Sequence, residues 1–208
     1  MKNYYVVDHP LVQNKLSYLR QLKTGQKEFR LLMEEITTHI VYEAIRNLSL
    51  VDTELETPIA RARGKVITEK NAFIVVLRAG LGMMPGATRL LPSAKVGHVG
   101  IYRDEDSLSP VYYYSKLPSD LDNRNCMILD PMLATGGTAC EVVSMLKQEN
   151  AQKISIISII ASPEGLNNLS GSHPEVKVYL AAVDKGLNAV GYIYPGLGDA
   201  GDRLFGTL

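Results

Sequence analysis

The sequence has little cysteine, and this shortage narrows the classes of protein that it can encode. Cys126 and Cys140 are the two cysteines among 208 residues. They could form one disulfide at most, and a chain of this length does not need such a staple. The segment 1–5 also lacks the pattern of a secretory signal peptide. We therefore expect reduced thiols and a cytoplasmic protein.

An excess charge of either sign and a long hydrophobic run are also missing. Lysine plus arginine and aspartate plus glutamate each number 22, so the formal net charge is zero. A neutral chain has no overall field that would attract a nucleic acid or an anionic membrane. The longest apolar run, around 154–161, is too short to cross a bilayer. We expect no nucleic-acid partner and no membrane association, whereas a local pocket for a small phosphorylated ligand is compatible with this composition.

Short apolar runs alternate with helical segments through the second half of the chain. The runs are continuous rather than alternating, which is typical of strands buried on both faces of a parallel sheet. They are Phe73–Leu77, Cys126–Leu129, Ile154–Ala161 and Val176–Val183. The segments after Gly82 and after Gly137 have the length and period of crossover helices. The pattern predicts a single α/β domain over residues 1–208, with a core of about five parallel strands flanked by helices.

The first part of the chain has a helical period instead. After His9-Pro10, an apolar face is marked by leucines at positions 11, 16, 19 and 22, and a second helical pattern runs from about Gln26 to Leu48. Thr57-Pro58 ends that pattern, and Arg61–Ile67 is consistent with a short extended arm.

Two further extended segments surround a polar tip. Val96–Arg103 and Pro110–Leu117 flank Asp104-Glu105-Asp106-Ser107. This arrangement favours a β-hairpin or a mobile flap, and an ordinary surface loop is the alternative.

The first of three glycine-rich segments lies between a predicted buried strand and a predicted helix, at Asp130–Thr138. Its glycines would let backbone amides converge on an anion, and the following helix would add unpaired N–H groups. Threonine hydroxyls at 135 and 138 are further donors, and the Asp130 carboxylate could accept hydrogen bonds from sugar hydroxyls. The alternative is a plain turn capped by threonines. The segment has no lysine, which disfavours a P-loop kinase.

The other two glycine segments are weaker signals for a dinucleotide. Arg78 opens Arg-Ala-Gly-Leu-Gly directly after a strand, where its planar guanidinium suits a diphosphate. Pro85 occupies the place of the third glycine in the dinucleotide pattern. Gly196–Gly201 matches Gly-x-Gly-x-x-Gly literally, but the seven residues that follow leave no room for the crossover helix and the distant acid. We interpret it as a tight loop that exposes backbone groups.

Four segments together carry a resemblance to a known family. Asp-Pro-Met-Leu-Ala-Thr-Gly-Gly at 130–137 resembles the ribose-phosphate loop of type I phosphoribosyltransferases, in the form that is characteristic of uracil phosphoribosyltransferases. Gly191–Arg203 resembles that family's uracil loop, Leu77–Met83 its pyrophosphate loop and His9–Val12 its opening. Tyr194 departs from the family, which more often has a smaller aliphatic residue there. The resemblance implies a type I phosphoribosyltransferase core with a hairpin flap and a hood formed by about 1–25 and 184–208.

The resemblance also implies a role for individual residues. Phosphoribosyl pyrophosphate (PRPP) would be bound by a set that includes the whole 130–138 loop, with Asp130 on the ribose hydroxyls and 134–138 on the 5′-phosphate. The set is Arg78, Arg103, Asp130, Pro131, Met132, Leu133, Ala134, Thr135, Gly136, Gly137, Thr138 and Asp199. Arg78, Arg103 and Asp199 would serve the reacting pyrophosphate end. Uracil would be bound by Ile193, Gly198, Asp199 and Ala200, mainly through backbone groups.

Cofactors and assembly follow from the resemblance alone. It implies Mg²⁺ carried by PRPP rather than by protein ligands, a homodimer or homotetramer and, in some members, activation by GTP. The four histidines (His9, His39, His98 and His173) are widely separated and show no metal-ligand spacing. Two alternatives stay open: a non-enzymatic nucleotide-sensing regulator on the same fold, and a dinucleotide-dependent oxidoreductase that rests on the glycine patterns alone.

Overall fold

A computed structural model describes residues 3–103 and 110–207, excepting the side chains at 102, 103 and 110. The helices are α1 (Pro10–Arg20), α2 (Gln26–Ala44), α3 (Met84–Leu90), α4 (Gly137–Gln148), α5 (Pro163–Ser172) and α6 (Ala200–Phe205). The strands are β1 (Tyr4–Val6), β2 (Leu50–Glu56), β3 (Arg61–Ile67), β4 (Lys70–Leu77), β5 (Lys95–Arg103), β6 (Pro110–Lys116), β7 (Arg124–Leu129), β8 (Met132–Leu133), β9 (Lys153–Ile157), β10 (Ile160–Ala161), β11 (Lys177–Leu180), β12 (Ala182–Val183), β13 (Gly186–Leu187) and β14 (Ile193–Tyr194). Among the described residues, none of these helices is both long and apolar enough to cross a membrane.

A seven-stranded sheet forms the centre of the fold, in the order β1-β11-β9-β7-β4-β5-β6. Every neighbouring pair is parallel except β5 and β6. The sheet therefore contains six parallel strands, whereas the sequence predicted about five. The additional strand is β1, a three-residue edge strand that pairs with β11. The predicted α/β fold class is confirmed.

Alternate residues of the central strands supply two separate cores. Phe73 and Val75 of β4 face a cluster that contains the buried side chains of α1, α2 and α3. Ile74 and Val76 face the opposite cluster, which contains those of α4 and α5. Because both faces are covered by helices, the strands are apolar at consecutive positions, and the continuous runs in the sequence follow from this packing.

Two of the predicted strands are each divided in two. The run 154–161 forms β9 and β10, and the run 176–183 forms β11 and β12. Ser158 lies between β9 and β10, and its Oγ donates to the Asp130 carbonyl over 2.6 Å. The second halves pair with β8 in a small parallel sheet, β12-β10-β8, at the carboxyl end of the main sheet. This small sheet holds the beginning of the 130–138 loop in place.

The helices mostly follow the sequence pattern, with one correction in α1. Its buried side chains are Val12, Leu16 and Leu19. Leu11 and Leu22, which the predicted apolar face included, are exposed. Leu22 lies beyond the end of α1, and Leu11 is 41% exposed, so the buried stripe begins at Val12.

Two antiparallel hairpins extend from the sheet. β2 and β3 pair along their whole length, from Leu50 opposite Ile67 to Glu56 opposite Arg61. The arm at Arg61–Ile67 was predicted, but its partner β2 was not. β5 and β6 form the predicted second hairpin. Its tip at 104–107, and hence the predicted flap motion, lies outside the described residues.

Candidate active site

The first component of the site is the turn that follows β4. Arg78 comes directly after the strand, the Leu77–Arg78 peptide bond is cis, and a 3₁₀ turn covers Ala79–Gly82. A Cβ on Gly80 would lie 2.4 Å from the carbonyl oxygen of Leu129. Only glycine allows this approach, which brings the Arg78 turn against the end of β7, one residue before Asp130.

Asp130 is fixed at the carboxyl end of β7. Its backbone N–H donates to the Ile157 carbonyl over 3.2 Å, and its Oδ1 accepts from the Met132 N–H over 3.3 Å. Burial raises the pKa of the Asp130 carboxyl to about 6, and the hydrogen bond from Met132 opposes this shift. The carboxylate is thus held in a poorly solvated place, where a ligand hydroxyl can replace missing water.

The loop after Asp130 presents backbone N–H groups rather than carbonyls. Its carbonyls turn towards α5: Leu133 O accepts from the Ser162 N–H, Ala134 O from Ser162 Oγ at 2.5 Å, and Thr135 O from Asn168 Nδ2 at 2.9 Å. α4 begins at Gly137 without a side-chain cap. Thr135 Oγ1 accepts from the first N–H group of the helix, that of Gly137, but over a long 3.5 Å. The N–H groups at the start of this 12-residue helix can therefore still turn to an anion.

Two glycines allow the loop to lie on α5. Gly136 has a φ of +80°, and a Cβ there would lie 2.6 Å from the Gly165 carbonyl oxygen. A Cβ on Gly165 would lie 2.4 Å from the Ala134 carbonyl oxygen. The backbone-to-backbone contact of loop and helix thus requires glycine on both sides.

The C-terminal loop at 193–200 is the third component. It follows the small antiparallel pair β13–β14, and its Gly196 and Gly198 have φ values of +67° and +79°. Arg20 binds Asp184 with both terminal nitrogens and also donates to the Gly196 carbonyl over 2.7 Å. The Gly196 N–H donates to the same Asp184 carboxylate. The loop is therefore held by the largely buried ion pair of Arg20 with Asp184, which joins the N-terminal and C-terminal segments.

A second arginine, Arg203, secures the other end of this loop. Its Nη1 donates to the carbonyls of Leu19 and Leu197, each over 2.8 Å, and its guanidinium carbon lies 4.3 Å from the centre of the Phe29 ring. Burial lowers the pKa of Arg203. Sequence reasoning did not find Arg20, Asp184 or Arg203 as supports of the loop, because the contacts that join the two ends of the chain, Arg20 with Asp184 and Arg203 with Leu19, each span more than 160 positions.

The C-terminal loop and the Arg78 turn are in contact. Asp199 caps α6, its Oδ1 accepting from the Asp202 N–H over 2.9 Å. A Cβ on Gly201 would lie 3.2 Å from Asp199 Oδ1 and 3.8 Å from Arg78 Nη2, and Gly82 packs closely on Leu204 of α6. The three glycine segments are therefore neighbours at the carboxyl edge of the sheet, where α/β proteins collect their ligands.

Several predicted site residues can offer a ligand only their backbone. The side chains of Pro131, Leu133, Ile193 and Ala200 are buried. Met132, Ala134, Thr135, Gly137 and Thr138 are partly exposed along the same loop. Arg103 ends β5, but its side chain lies outside the described residues. The Tyr194 side chain is 59% exposed, with Lys185 Nζ at 5.9 Å from its ring centre, so it faces solvent.

The described residues do not include a group of three or more histidine, cysteine, aspartate or glutamate side chains that could hold a metal ion. Mg²⁺ commonly keeps most of its waters and binds one or two carboxylates together with substrate phosphates. The single carboxylates at 130 and 199 fit an ion of that kind better than a metal held by protein alone.

A groove of about 490 Å³ lies at the opposite, amino end of the strands. Its acidic group Glu69 accepts hydrogen bonds from Asn125 and from the Ser49 N–H, which lower the pKa of its carboxyl to about 2. Lys153 lies 3.6 Å away. This polar network is internally satisfied, so the carboxyl-edge loops remain the better candidate.

Comparison with known proteins agrees with this arrangement. A family model described as "Uracil phosphoribosyltransferase" matches residues 6–207. This chain belongs to the uracil phosphoribosyltransferase family. A uracil phosphoribosyltransferase of Thermoanaerobacter sp. (strain X514) is 55% identical over 207 residues, 99% of either chain. That of Geobacillus kaustophilus (strain HTA426) is 52% identical over the full length of both chains.

Solved structures agree on the fold of this uracil phosphoribosyltransferase family member. The AQ2163 protein from Aquifex aeolicus aligns with a TM-score of 0.93 at 38% identity, over 97% of either chain. A hypoxanthine phosphoribosyltransferase from Trypanosoma cruzi, complexed with IMP, aligns with a TM-score of 0.52 at 11% identity, over 81% of either chain. The second likeness concerns the fold alone, and confirms the predicted phosphoribosyltransferase core.

Proposed function

We propose that this protein transfers the phosphoribosyl group of PRPP to N1 of uracil, producing UMP and diphosphate for pyrimidine salvage. The observation that carries the proposal is the meeting of three loops at one edge of the sheet. Gly80 lies against Leu129, and Gly201 lies between Asp199 and Arg78. A sugar phosphate, a diphosphate and a flat base could then be bound side by side.

The sugar phosphate would occupy the 130–138 loop. Its 5′-phosphate would accept hydrogen bonds from the N–H groups of 134–138 at the start of α4, which lacks a side-chain cap. The ribose hydroxyls would donate to Asp130, whose carboxylate has a single backbone donor in Met132. Pro131 and Leu133 would act only through the backbone, since their side chains are buried.

Uracil would be read by the 193–200 loop. The base presents two carbonyl acceptors on either side of one N–H donor, and backbone groups of Ile193, Gly198 and Ala200 can match this order at fixed positions. Cytosine would reverse two of these partners and leave buried groups unpaired, at about 1–3 kcal/mol for each. The clamps formed by Arg20 and Arg203 support this rigidity.

In the reaction the bond from ribose C1 to the diphosphate oxygen breaks, and the bond from uracil N1 to C1 forms. Positive charge develops on the ribose and negative charge on the leaving diphosphate, while the N1 proton is released. Arg78 and Arg103 would stabilise the diphosphate, and Asp199 would support its magnesium-bearing end. Orientation of N1 against C1 would supply the remaining rate enhancement, and no side chain is assigned as a general base.

Two ligands accompany this proposal. Mg²⁺ would arrive with PRPP and neutralise charge on the leaving diphosphate. GTP would activate the enzyme from a separate site, a property implied by the family for some members. We place the reaction in the cytoplasm, and the two cysteines, which are unpaired here, suit a reducing compartment.

We further propose a homodimer or homotetramer. The hairpin β2–β3 packs mainly on itself, and it exposes several apolar side chains, among them Val51, Leu55, Ile59 and Val66. Exposed apolar surface of this kind commonly marks an interface.

The decisive experiment measures UMP formation from PRPP and one base at a time, with and without GTP. We expect rapid product with uracil and magnesium, and at least 100-fold less with cytosine, hypoxanthine or orotate, since mismatched bases leave about two groups unpaired. Asp199→Ala should cripple turnover, and loss of the α6 cap should cost about 1 kcal/mol and lower the thermal unfolding midpoint by about 2–4 °C without unfolding the protein. The absence of UMP above background would refute the proposal. A rate that GTP does not change would refute the proposed activation by GTP.

A further inference from the structure

A carboxylate that no predicted role uses lies beside Arg78. Asp202 belongs to α6, and its Oδ1 lies 3.2 Å from Arg78 Nη2. The hydroxyl of Thr207 donates to the same oxygen over 2.5 Å, and the Arg78 guanidinium carbon lies 5.8 Å from the centre of the Phe205 ring. One side of Arg78 is therefore bordered by α6 and by Thr207, which follows that helix.

The contact uses little of the guanidinium. Two side chains bind Arg78 within the described part of the chain, those of Asp202 and Thr207, and both meet Nη2 alone. Nε and Nη1 make no ion pair within the described part of the chain. A guanidinium has five N–H donors in a fixed plane, so one edge can be held while the other binds two oxygens of a ligand.

Pre-orientation of this side chain has a clear benefit. Arg78 is 52% exposed, and a long exposed side chain loses conformational entropy when a ligand fixes it. A contact at 3.2 Å is longer than a typical charge-assisted hydrogen bond, so Asp202 does not compete strongly with a diphosphate for the arginine. The carboxylate restrains the guanidinium without occupying it.

We propose that Asp202 is a positioning residue, which with Thr207 holds Arg78 ready for the diphosphate of PRPP. This inference rests on the proposed function. It also connects the two substrates: α6 begins at the base loop, where Asp199 and Ala200 lie, and carries Asp202 on its first turn. The proposed base site and the arginine are therefore joined through one short helix.

The test compares Asp202→Asn with Glu35→Gln. The control removes a carboxylate from an exposed ion pair with Lys15 at 2.6 Å, away from the three loops. Calorimetry would measure binding of magnesium pyrophosphate and of UMP, which has no diphosphate. For Asp202→Asn we expect an increase of about five-fold in the Kd of pyrophosphate and in the KM of PRPP, typical of a partly exposed ion pair. The Kd of UMP should change less than two-fold, and Glu35→Gln should leave all three constants unchanged.

Further variants separate positioning from a structural role. Thr207→Val should raise the same two constants less, and Asp202→Glu should restore most of the loss. In an Arg78→Lys background, Asp202→Asn should have no additional effect. Unchanged or tighter pyrophosphate binding by Asp202→Asn would overturn the inference, as would an equal weakening of UMP, which would indicate damage to α6. Wild-type protein that binds pyrophosphate but forms no UMP would refute the proposed function instead.

Discussion

At the scale of single residues, Asp130 combines a cost in stability with a proposed role in binding. Its carboxyl has a pKa raised by burial from 3.8 to about 6. The folded protein thus holds this proton more tightly than the unfolded chain, so the stability associated with it is complete below about pH 4 and is lost as the pH rises through 6. Above pH 7 the ionised carboxylate destabilises the unliganded fold, and it can accept hydrogen bonds from the ribose hydroxyls of a ligand.

We predict that Asp130→Asn stabilises the protein and inactivates it. At pH 8 the melting temperature should rise by about 3–6 °C, corresponding to about 1–2 kcal/mol. The gain should shrink towards zero between pH 6 and pH 4, where the wild-type carboxyl is protonated. Thermal unfolding at a series of pH values would measure this, with the exposed Asp122→Asn as control. A gain that is independent of pH would contradict the assignment.

The residues that would bind ligand were easier to predict from the sequence than the residues that hold the binding loops in place. Residue type and position after a strand indicate a site for phosphate groups at Arg78, at Asp130 and at the Thr-Gly-Gly-Thr segment. Arg20 and Arg203 have no such signal. Arg20 follows no glycine and no strand, yet it binds the Gly196 carbonyl 176 positions away along the chain. Only the folded chain brings these partners together, and no local sequence pattern marks either arginine.

At the scale of elements, helix α5 determines the shape of the anion loop. Its Ser162 cap and Asn168 donate hydrogen bonds to the carbonyls of Ala134 and Thr135. Gly165 lets the helix backbone reach the loop backbone. The direction in which the loop N–H groups point therefore depends on a helix that the motif does not include.

Two glycines of α5 provide a matched pair of variants. A Cβ at Gly165 would lie 2.4 Å from Ala134 O and 2.7 Å from Leu133 O, both backbone atoms that cannot move aside alone. Gly171 has nothing within 4 Å of the same position. We predict that Gly165→Ala lowers stability by about 2 kcal/mol and raises the KM of PRPP at least about ten-fold. Gly171→Ala should instead stabilise by about 0.4–1 kcal/mol with unchanged kinetics.

Denaturant unfolding and steady-state kinetics would compare the two substitutions. Equal effects on the KM of PRPP would show that the spacing between α5 and the loop is not a determinant of binding. A Gly165→Ala protein that is less stable but kinetically normal would limit the contact to the fold.

Elements with a one-sided or absent burial signal were the ones that sequence reasoning missed. β1 has three residues, and Tyr5 and Val6 are exposed. β2 alternates charged with apolar residues, as a half-buried strand does, but neither set is buried in this chain. No strand was therefore predicted for this segment. The buried strands β4 and β7 were predicted because both faces are covered. The arm β3 is the exception, since it was predicted as extended although it is almost wholly exposed.

At the scale of the whole molecule, the β2–β3 arm is amphipathic, and within the described residues its two strands contact mainly each other. On one face, residues of opposite charge occupy facing positions of the two strands: Asp52 and Lys65, Glu54 and Arg63, and Glu56 and Arg61. The other face carries Val51, Thr53 and Leu55 opposite Val66, Gly64 and Ala62. A two-stranded hairpin is only marginally stable in water without packing on its apolar face. A second copy of the chain would supply that packing.

We therefore predict that Val66→Glu changes the oligomeric state. Light scattering during size-exclusion chromatography should give the wild type a multiple of the chain mass of 22.9 kDa, and the variant a smaller multiple or the single mass. A buried glutamate in an apolar interface would cost several kcal/mol, enough to dissociate a dimer at micromolar concentration. Leu22→Glu alters a fully exposed leucine outside the arm and should leave the mass unchanged. If the wild type is a monomer, or if both variants keep its mass, the arm faces solvent and its apolar face has another purpose.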